Sequence, residues 1–236
     1  MGVLFKSRSL FNSALRPVGL SVERLSPEPP PKMAEVWKDD QVFMSIRKQI
    51  AGRTLMPYPD LFALYQFARQ TLNLDGDIAE VGVYKGGSAR LLAQTTASTA
   101  KTLHLFDTFE GMPETDSQRD LHKKGDFADT SLEAVRALLA GFNHVAFHQG
   151  FFPATAQGLE STKFCLAHID VDIYRSVRDC CEFFYPRMVP GGILLFDDYG
   201  KPTCPGARQA VDEFIADKPE QACYLVSSQC FIIKHA

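Results

Sequence analysis

The stretch DIAEVGVYKGGSARLLA, residues 77–93, decides how this chain of 236 residues folds. A short apolar run leads into a turn that contains Gly82, Gly86 and Gly87, and a helical pattern follows. This order predicts a β-strand that ends beside the start of a helix, with glycines that let a ligand approach the backbone. Because three residues separate Gly82 from Gly86, the GxGxxG fingerprint for a dinucleotide pyrophosphate is absent.

Acidic residues mark the ends of this strand and of the next one. Glu80 precedes the glycine turn, where it is a poor neighbour for phosphates and suits a cationic or amino-bearing ligand. The apolar run LHLF ends in Asp107, 25 residues after Gly82. A carboxylate at that position can accept hydrogen bonds from both hydroxyls of a ribose. These positions indicate a nucleoside ligand.

From residue 77 onward the chain alternates short apolar runs with helical patterns, which is typical of a mostly parallel sheet with crossover helices. The predicted strands are 77–83, 102–107, 145–149, 164–170, 192–197, 223–228 and 230–235, and the predicted helices are 86–98, 131–141, 174–187 and 205–217. The last two strands are too close for a crossover helix, so they must pair as an antiparallel hairpin.

The predicted architecture is therefore an α/β, Rossmann-like fold. It has a mostly parallel seven-stranded sheet, helices on both faces and a C-terminal antiparallel hairpin. A closing hairpin is typical of Rossmann-like methyltransferases and is not needed by dinucleotide-binding domains. Together with the glycine loop and Asp107, it favours S-adenosylmethionine over NAD as the ligand.

The part of the chain before this alternating pattern divides at its prolines. The segment SPEPPPK, Ser26–Lys32, interrupts any helix. We predict an N-terminal extension over residues 1–56, which contributes to a lid or to contacts between subunits, and one domain over residues 57–236. A homo-oligomer is an open expectation on this basis.

Two helices and one long loop complete the prediction. Apolar residues in 34–51 form a broken helical stripe, and residues 60–72 form an amphipathic helix that Asp60 caps. Residues 109–130 are rich in Gly, Pro, Asp and Lys, and the stretch is longer than an ordinary strand-to-helix connection. This length indicates a lid, and a surface insertion is the alternative.

Composition excludes several classes of protein. Apolar residues make up 45% of the chain, the net charge is −3, and no apolar run reaches the roughly 18 residues that a membrane helix requires. We therefore expect neither a membrane nor a nucleic acid as partner, but a small molecule. The six cysteines show no CxxC spacing, which indicates free thiols in a cytoplasmic protein.

Four aspartates follow two neighbouring strands of the predicted sheet. Asp170 ends FCLAHID with Asp172 two positions on, while Asp197 and Asp198 follow GILLF. The carboxyl ends of parallel strands meet at one edge, and like charges brought together there require a cation such as Mg²⁺. We predict Asp170, Asp197 and Asp198 as its ligands, and for Asp172 a helix cap is equally open.

Longer motifs resemble a known family. The stretches EVGVYKGGSARLLA, HLFDTFEGMP, HIDVDIYRSVRDCCEFFYPRMVPGGILLFDDYG and CPGARQAVDEF look like the macrocin O-methyltransferase family, from about residue 57 to the C-terminus. The resemblance implies a class I methyltransferase fold, S-adenosylmethionine, Mg²⁺ on the strand-end aspartates, and a sugar hydroxyl of a natural product as acceptor. Catechol O-methyltransferases share the acidic arrangement, but Ile173 stands where they carry a catalytic lysine.

The resemblance also implies which residues hold the cofactor. The methionine end would be lined by Glu80, Gly82, Tyr84, Gly86 and Ser88, the ribose by Asp107, and the adenine by Gly150 and Phe151. For Phe151 a place in the apolar core is an open alternative.

Methyl transfer to an alkyl hydroxyl calls for a general base, because such a hydroxyl is a weak acid. His122 lies in the predicted lid and is our first candidate, and Asp170 is the second. His168, inside a predicted strand, is expected to be a core residue. Three rival functions stay open: a cofactor-binding protein without methyl transfer, a methyltransferase for a catechol-like acceptor, and a nucleoside-dependent oxidoreductase.

Overall fold

The computed structural model of the protein describes residues 34–235. The proline-rich break at residues 26–32, and with it most of the predicted N-terminal extension, lies outside the described residues. From Trp37 onward the described residues form one compact unit. The predicted division at residue 56 stays a prediction.

One seven-stranded sheet organises the described part of the chain. Its strands are β1 (Asp77–Val81), β2 (Leu103–Asp107), β3 (Val145–Gln149), β4 (Phe164–Ile169), β5 (Met188–Phe196), β6 (Cys223–Tyr224) and β7 (Cys230–Ile233). Their order in the sheet is β3-β2-β1-β4-β5-β7-β6. The first five strands pair in parallel, and β7 is antiparallel to both of its neighbours. The predicted fold class is confirmed.

Six α-helices accompany the sheet in residues 34–235. They are α1 (Gln41–Gln49), α2 (Tyr58–Gln70), α3 (Gly87–Thr96), α4 (Leu132–Leu138), α5 (Tyr174–Phe184) and α6 (Pro205–Ile215). Short 3-10 turns cover Val36–Lys38, Ala154–Ala156 and Tyr185–Arg187. Residues 109–130 contain neither helix nor strand, as the prediction of a long loop requires.

Helix α2 begins earlier than predicted, and Asp60 does not cap it. Pro57 is the extended residue before the helix, and Pro59 lies in the first turn, where a missing N–H costs no hydrogen bond. Asp60 is fully buried in that first turn, and its carboxylate accepts a hydrogen bond from Ser228 Oγ at 3.2 Å. The prolines, not the acid, therefore set the start of the helix.

Two strand boundaries also differ from the prediction. Strand β5 begins at Met188, four residues before the predicted start at 192, because a register shift against β4 accommodates Pro190 and the following glycine. The C-terminal pair is antiparallel as predicted, but β6 has only two residues and a turn separates it from β7. The predicted bounds 223–228 and 230–235 were therefore too long.

Alternating side chains of the buried strands divide the core into two layers. Ile78, Leu103 and Leu105 face one layer, which packs against α1, α2 and α3. Ala79 and Phe106 face the other layer, under α5 and α6. Because the central strands are covered on both sides, they read as continuous apolar runs in the sequence.

The composition led to expectations about the cysteines and about membrane helices. All six cysteines are free thiols, as predicted, and five of them are buried. Among residues 34–235, no helix combines the length and the hydropathy that crossing a lipid bilayer requires.

Candidate active site

A cavity of about 360 Å³ lies at the carboxyl ends of β1 to β5. The strand order reverses between β1 and β4, and the crevice at such a reversal is where open α/β sheets bind ligands. Nine of the predicted site residues line it: Gly82, Tyr84, Ser88, Asp107, His122, Gly150, Phe151, Asp170 and Asp197. The other three, Glu80, Gly86 and Asp198, do not.

The glycines of the loop after β1 are packed against protein atoms. Gly82 has a positive φ of 89°, and a Cβ there would lie 1.7 Å from the carbonyl oxygen of Asp170. A Cβ on Gly86, also at positive φ, would meet the Val135 side chain at 2.9 Å. The sequence predicted that these glycines make room for a ligand. In the structure, the space that a side chain would occupy is filled by the end of β4 at Gly82 and by α4 at Gly86.

Glu80 lies in the protein interior and not on the cavity wall. Its side chain has no exposed surface, and its Oε1 is 2.9 Å from His168 Nδ1. The parallel register pairs these two residues across β1 and β4, which explains the contact. Burial opposes protonation of His168, but the nearby carboxylates of Asp197, 4.0 Å from Nε2, and of Glu80 outweigh it and raise its pKa to about 10. His168 is a core residue, as expected.

Asp107 holds the glycine loop in place with its carboxylate. Oδ2 accepts hydrogen bonds from the amides of Val83 at 2.6 Å and Tyr84 at 2.9 Å, and Oδ1 accepts one from Phe109 at 2.7 Å. A carboxylate offers about four lone-pair positions. The three amide contacts use much of this capacity, Asp107 also lines the cavity, and its contact with a ribose stays a prediction.

The lid is attached to the same loop. The Tyr84 hydroxyl donates to Asp129 Oδ1 at 2.8 Å, and Lys85 Nζ forms an ion pair with the same carboxylate. Thr130 Oγ1 donates a hydrogen bond to the carbonyl oxygen of Tyr84. The predicted lid, residues 109–130, therefore ends on the loop predicted to hold the cofactor.

Two aromatic residues after β3 have separate environments. Phe151 is 43% exposed and lies on the cavity wall, so the alternative that it is a core residue is wrong. Phe152 is buried and stacks on Phe184 of α5, with ring centroids 5.4 Å apart. Gly150 precedes them at a positive φ of 128°, a conformation that directs Phe151 outward.

Three carboxylates come together beside the cavity, and they differ in part from the predicted set. Oxygen atoms of Asp170, Asp172 and Asp198 lie within 4.8 Å of one another. Asp197 is fully buried, its Oδ1 accepts a hydrogen bond from Gln229 Nε2 at 2.8 Å, and its Oδ2 is paired with Lys201.

Asp172 is a site residue that the sequence left undecided. Helix α5 has no side-chain cap, so the expectation of a helix cap is wrong. Asp172 has a positive φ of 59°, and its amide donates to Asp198 Oδ2 at 2.8 Å. Because β4 ends at Ile169, the alternation of strand side chains does not extend to Asp172. The D-x-D spacing was the available signal.

Lys201 is the second residue that sequence reasoning missed. Its ammonium pairs with Asp197 and, at 3.0 Å, with Asp198. Burial lowers the pKa of this lysine, but the surrounding carboxylates outweigh it and raise the pKa. Burial and the neighbouring acids raise the pKa of Asp170, and they raise that of Asp172 to about 8. Both acids therefore favour their neutral forms, and a cation bound beside them would stabilise the ionised carboxylates.

His122 faces the cavity from the lid, as predicted. Its Nδ1 lies 3.2 Å from Asp126 Oδ2, and its Nε2 lies 3.6 Å from Asp172 Oδ1. The same Nε2 is 3.6 Å from Cys204 Sγ. If Nδ1 donates its proton to Asp126, Nε2 presents a lone pair toward the acidic cluster.

The fold and this site define a class I methyltransferase architecture, and comparison with known proteins identifies the family. The family model described as macrocin O-methyltransferase (TylF) matches residues 63–222, which is more than half of the chain. The chain therefore belongs to the macrocin O-methyltransferase family.

Two relatives with assigned activities are similar to this chain in sequence. One is 8-demethyl-8-(2,3-dimethoxy-alpha-L-rhamnosyl)-tetracenomycin-C 4'-O-methyltransferase from Streptomyces olivaceus, which is 32% identical over 63% of this chain and 62% of its own length. The other is mycinamicin III 3''-O-methyltransferase from Micromonospora griseorubida, 30% identical over 59% of this chain and 60% of its own length. The chain thus matches about three fifths of these relatives.

Solved structures agree with the fold. The O-methyltransferase NovP is similar with a TM-score of 0.67 at 24% identity, over 78% of this chain and 83% of that chain. An O-methyltransferase from Bacillus cereus in complex with SAH has a TM-score of 0.55 at 16% identity, over 97% of this chain and 99% of that chain.

Proposed function

We propose that this protein transfers a methyl group from S-adenosylmethionine to a hydroxyl of a small molecule, and that the acceptor is a sugar of a natural product. One observation carries the proposal: residues of the loop predicted to hold the cofactor line the same cavity as Asp170 and Asp172 of the acidic cluster, where the sequence predicts Mg²⁺. The names of the relatives support the acceptor class, since one is the 4'-O-methyltransferase of a rhamnosyl-tetracenomycin and the other the 3''-O-methyltransferase of mycinamicin III.

The residues present suit the cofactor. A cavity of about 360 Å³ is of a size that small-molecule sites have. Asp107 lines the cavity, and Phe151 offers an exposed ring beside Gly150. When bound, S-adenosylmethionine supplies an electrophilic methyl group. The chain's own contribution is to hold the acceptor oxygen in line with that group, which accounts for much of the rate in such reactions.

The acidic cluster suits a hard divalent ion such as Mg²⁺. Asp170 and Asp198 belong both to the set predicted from the sequence and to the set of oxygens that lie within 4.8 Å, so we assign them as ligands. Asp197 as a third ligand stays a prediction, because Gln229 and Lys201 already occupy its oxygens. A bound Mg²⁺ would lower the pKa of the acceptor hydroxyl.

For the general base we retain His122. The contact between its Nδ1 and Asp126 leaves Nε2, which lies 3.6 Å from Cys204 Sγ and from Asp172 Oδ1, as the nitrogen that would accept a proton. Asp170, the second candidate, also lines the cavity, but burial and two neighbouring acids raise its pKa and favour its protonated form when no cation is bound. A His122→Ala variant should lose the pH dependence of turnover that an imidazole base imposes. An unchanged pH–rate profile would dismiss His122 as base.

Cofactor binding is tested by calorimetric titration with S-adenosylhomocysteine. We expect saturable binding, and an Asp107→Ala variant should bind at least about tenfold more weakly, because it loses both the ribose contact and the loop amides' acceptor. A Glu110→Gln variant is the control, since Glu110 is an exposed neighbour in the same loop. Absence of heat with the unmodified protein would remove the proposal.

Metal binding is tested separately with Mn²⁺ by electron paramagnetic resonance. Asp170→Asn and Asp198→Asn should each weaken Mn²⁺ binding by about tenfold or more. Asp197→Asn decides the third ligand: an equal loss makes Asp197 a ligand, and unchanged affinity leaves it as a partner of Gln229 and Lys201. Full turnover in a chelator would exclude the metal from the reaction.

The rival functions predict other results. A cofactor-binding protein without methyl transfer would bind S-adenosylhomocysteine but transfer no methyl group to any glycoside tested. A catechol-like acceptor is disfavoured because Ile173, at the position of the catalytic lysine of catechol O-methyltransferases, is 1% exposed in the core.

A cytoplasmic location and a homo-oligomer built with residues 1–56 remain proposals. Sedimentation of the full chain tests the oligomer.

A further inference from the structure

Three different metal-binding side chains meet where the lid touches the strand ends. His122 Nε2 comes from the lid, Asp172 Oδ1 follows β4, and Cys204 Sγ immediately precedes α6. Nε2 lies 3.6 Å from both other atoms, and Sγ lies 3.3 Å from Oδ1. We propose that these residues form a zinc-binding site, beside the Mg²⁺ site assigned to Asp170 and Asp198, and that Asp172 lies between the two.

The distances match the ligand spacing of a tetrahedral zinc site. Zinc bonds of about 2.3 Å to sulfur and about 2.0–2.2 Å to nitrogen and oxygen place the ligand atoms of a tetrahedron about 3.3–3.6 Å apart. The three observed separations, 3.3, 3.6 and 3.6 Å, are of this length. The three side chains therefore present their ligand atoms at the spacing that zinc requires.

The contact of His122 with Asp126 supports the same assignment independently. Metal-binding histidines generally donate their other ring N–H to a carboxylate or carbonyl, which orients the ring and leaves the metal-facing nitrogen unprotonated. Asp126 Oδ2 lies 3.2 Å from Nδ1, on the far side of the ring from Cys204. Asp126 thus already offers the His122 ring the carboxylate contact that orients a metal-binding histidine.

The chemistry of the donors selects the ion. A thiol, an imidazole and a carboxylate suit zinc, whereas Mg²⁺ prefers oxygen ligands only. The group of Asp170, Asp172 and Asp198 next to it has only oxygens. When zinc binds, the Cys204 thiol loses its proton to solvent and a zinc–sulfur bond forms. Three protein ligands would leave a fourth position for water or another ligand, and two of the three residues, His122 and Asp172, line the cavity.

The site would connect three separate parts of the molecule. Zinc would tie the lid to the end of β4 and to the start of α6, and it would occupy the His122 nitrogen and the Asp172 oxygen that face the cavity. Zinc at this site should therefore inhibit the proposed methyl transfer by holding the lid closed. The binding itself does not depend on that function.

Cobalt(II) is the probe, because a cobalt–thiolate bond gives a charge-transfer band in the near ultraviolet and tetrahedral cobalt absorbs in the visible. The full-length protein, saturated with Mg²⁺, should show both bands with one equivalent of Co²⁺, and Zn²⁺ should abolish them. Cys204→Ser should lose the charge-transfer band. Cys223→Ser should retain it, because Cys223 is the exposed cysteine and has no histidine beside it.

An Asp126→Asn variant tests the orientation of His122 without removing a ligand. We expect it to bind Co²⁺ about 10- to 100-fold more weakly. If Cys204→Ser fails to fold, Cys204→Ala and Asp126→Asn provide the same comparison, with circular dichroism as the check on folding. A missing band in the unmodified protein, or a band that persists without Cys204, overturns the proposal. Calorimetry with S-adenosylhomocysteine reports the proposed function separately.

Discussion

Gly82 lies where two strand ends meet, and the carbonyl oxygen of Asp170 occupies the space of its missing side chain. A Cβ there would lie 1.7 Å from that oxygen, and the backbone has a positive φ of 89°. A Gly82→Ala variant must therefore move β1 away from the end of β4. We expect a loss of about 3 kcal/mol or more in the free energy of unfolding, measured by urea denaturation.

Gly125 in the lid provides a matched control for this substitution. Its φ is 86°, and a Cβ there would meet no atom within 4 Å. Gly125→Ala should therefore cost only the conformational strain, about 1 kcal/mol. Equal losses for the two variants would show that close packing at Gly82 adds nothing.

The sequence predicted the position of some individual site residues but not of others. Asp107 and Asp170 were predicted because a strand end places its last side chain at a known edge of the sheet. Lys201 and Cys204 come from an irregular turn after β5, and no periodic pattern predicts where such a turn directs its side chains. Their contacts with Asp198 and Asp172 depend on the path of that turn.

Glu220 joins elements that are separate in sequence. Its carboxylate accepts hydrogen bonds from Lys234 Nζ at 2.7 Å, at the end of β7, and from the Tyr185 hydroxyl at 2.5 Å, after α5. Burial would raise its pKa, but these hydrogen bonds outweigh it and lower the pKa from 4.5 to about 2. A lowered pKa stabilises the folded state above pH 4.5, and this stabilisation disappears as the pH falls toward 2.

Glu220→Gln should therefore lower the free energy of unfolding by about 1–2 kcal/mol at pH 7. The difference from the unmodified protein should shrink between pH 4.5 and pH 2, as denaturation at a series of pH values would show. Glu182→Gln, on an exposed pair with Arg178, should change little at any pH. A difference independent of pH would contradict the assigned ionisation.

The lid depends on few contacts with the glycine loop. Asp129 accepts from the Tyr84 hydroxyl and pairs with Lys85, so Asp129→Ala removes both. We expect trypsin to cleave several-fold faster after Lys123 and Lys124, because local opening exposes the lid. Asp217→Ala, which removes an exposed pair with Lys218 outside the lid, should leave the cleavage rate unchanged. Equal rates in both variants would show that the lid is held by other contacts.

The sequence predicted the boundaries of helices and strands well where a single local signal was present, and less well where several signals competed. The parallel strands were predicted well, because runs buried on both faces leave a clear signal. The start of α2 was wrong because two prolines and an acid offered competing start signals, and proline geometry decided. The start of β5 was wrong because a bulge keeps Pro190 within the strand.

Helix α1, which lies before residue 57, packs into the core of the described residues. Phe43 of α1 is fully buried, and its ring centroid lies 5.0 Å from that of Phe62 and 5.5 Å from that of Tyr65, both in α2. A Phe43→Ala variant should therefore destabilise the whole unit by about 3–5 kcal/mol. Thermal unfolding should show one transition shifted to lower temperature.

Val42→Ala is the control in the same helix, because Val42 is 59% exposed, and it should change stability by less than about 0.5 kcal/mol. If Phe43→Ala leaves the main transition in place, residues 1–56 behave as a separate unit, as the predicted division at residue 56 implies. A shifted main transition would place α1 within the domain.

The order of apolar runs, the glycine turn and the acidic strand ends determined the fold class and the edge at which ligands bind. These follow from periodicity and from the rule that parallel strands share a carboxyl edge. Tertiary structure alone decided that Glu80 faces His168, that Asp172 joins Asp170 and Asp198, and that His122 meets Cys204. Those contacts join residues up to 88 positions apart, and only register and loop paths bring them within bonding distance.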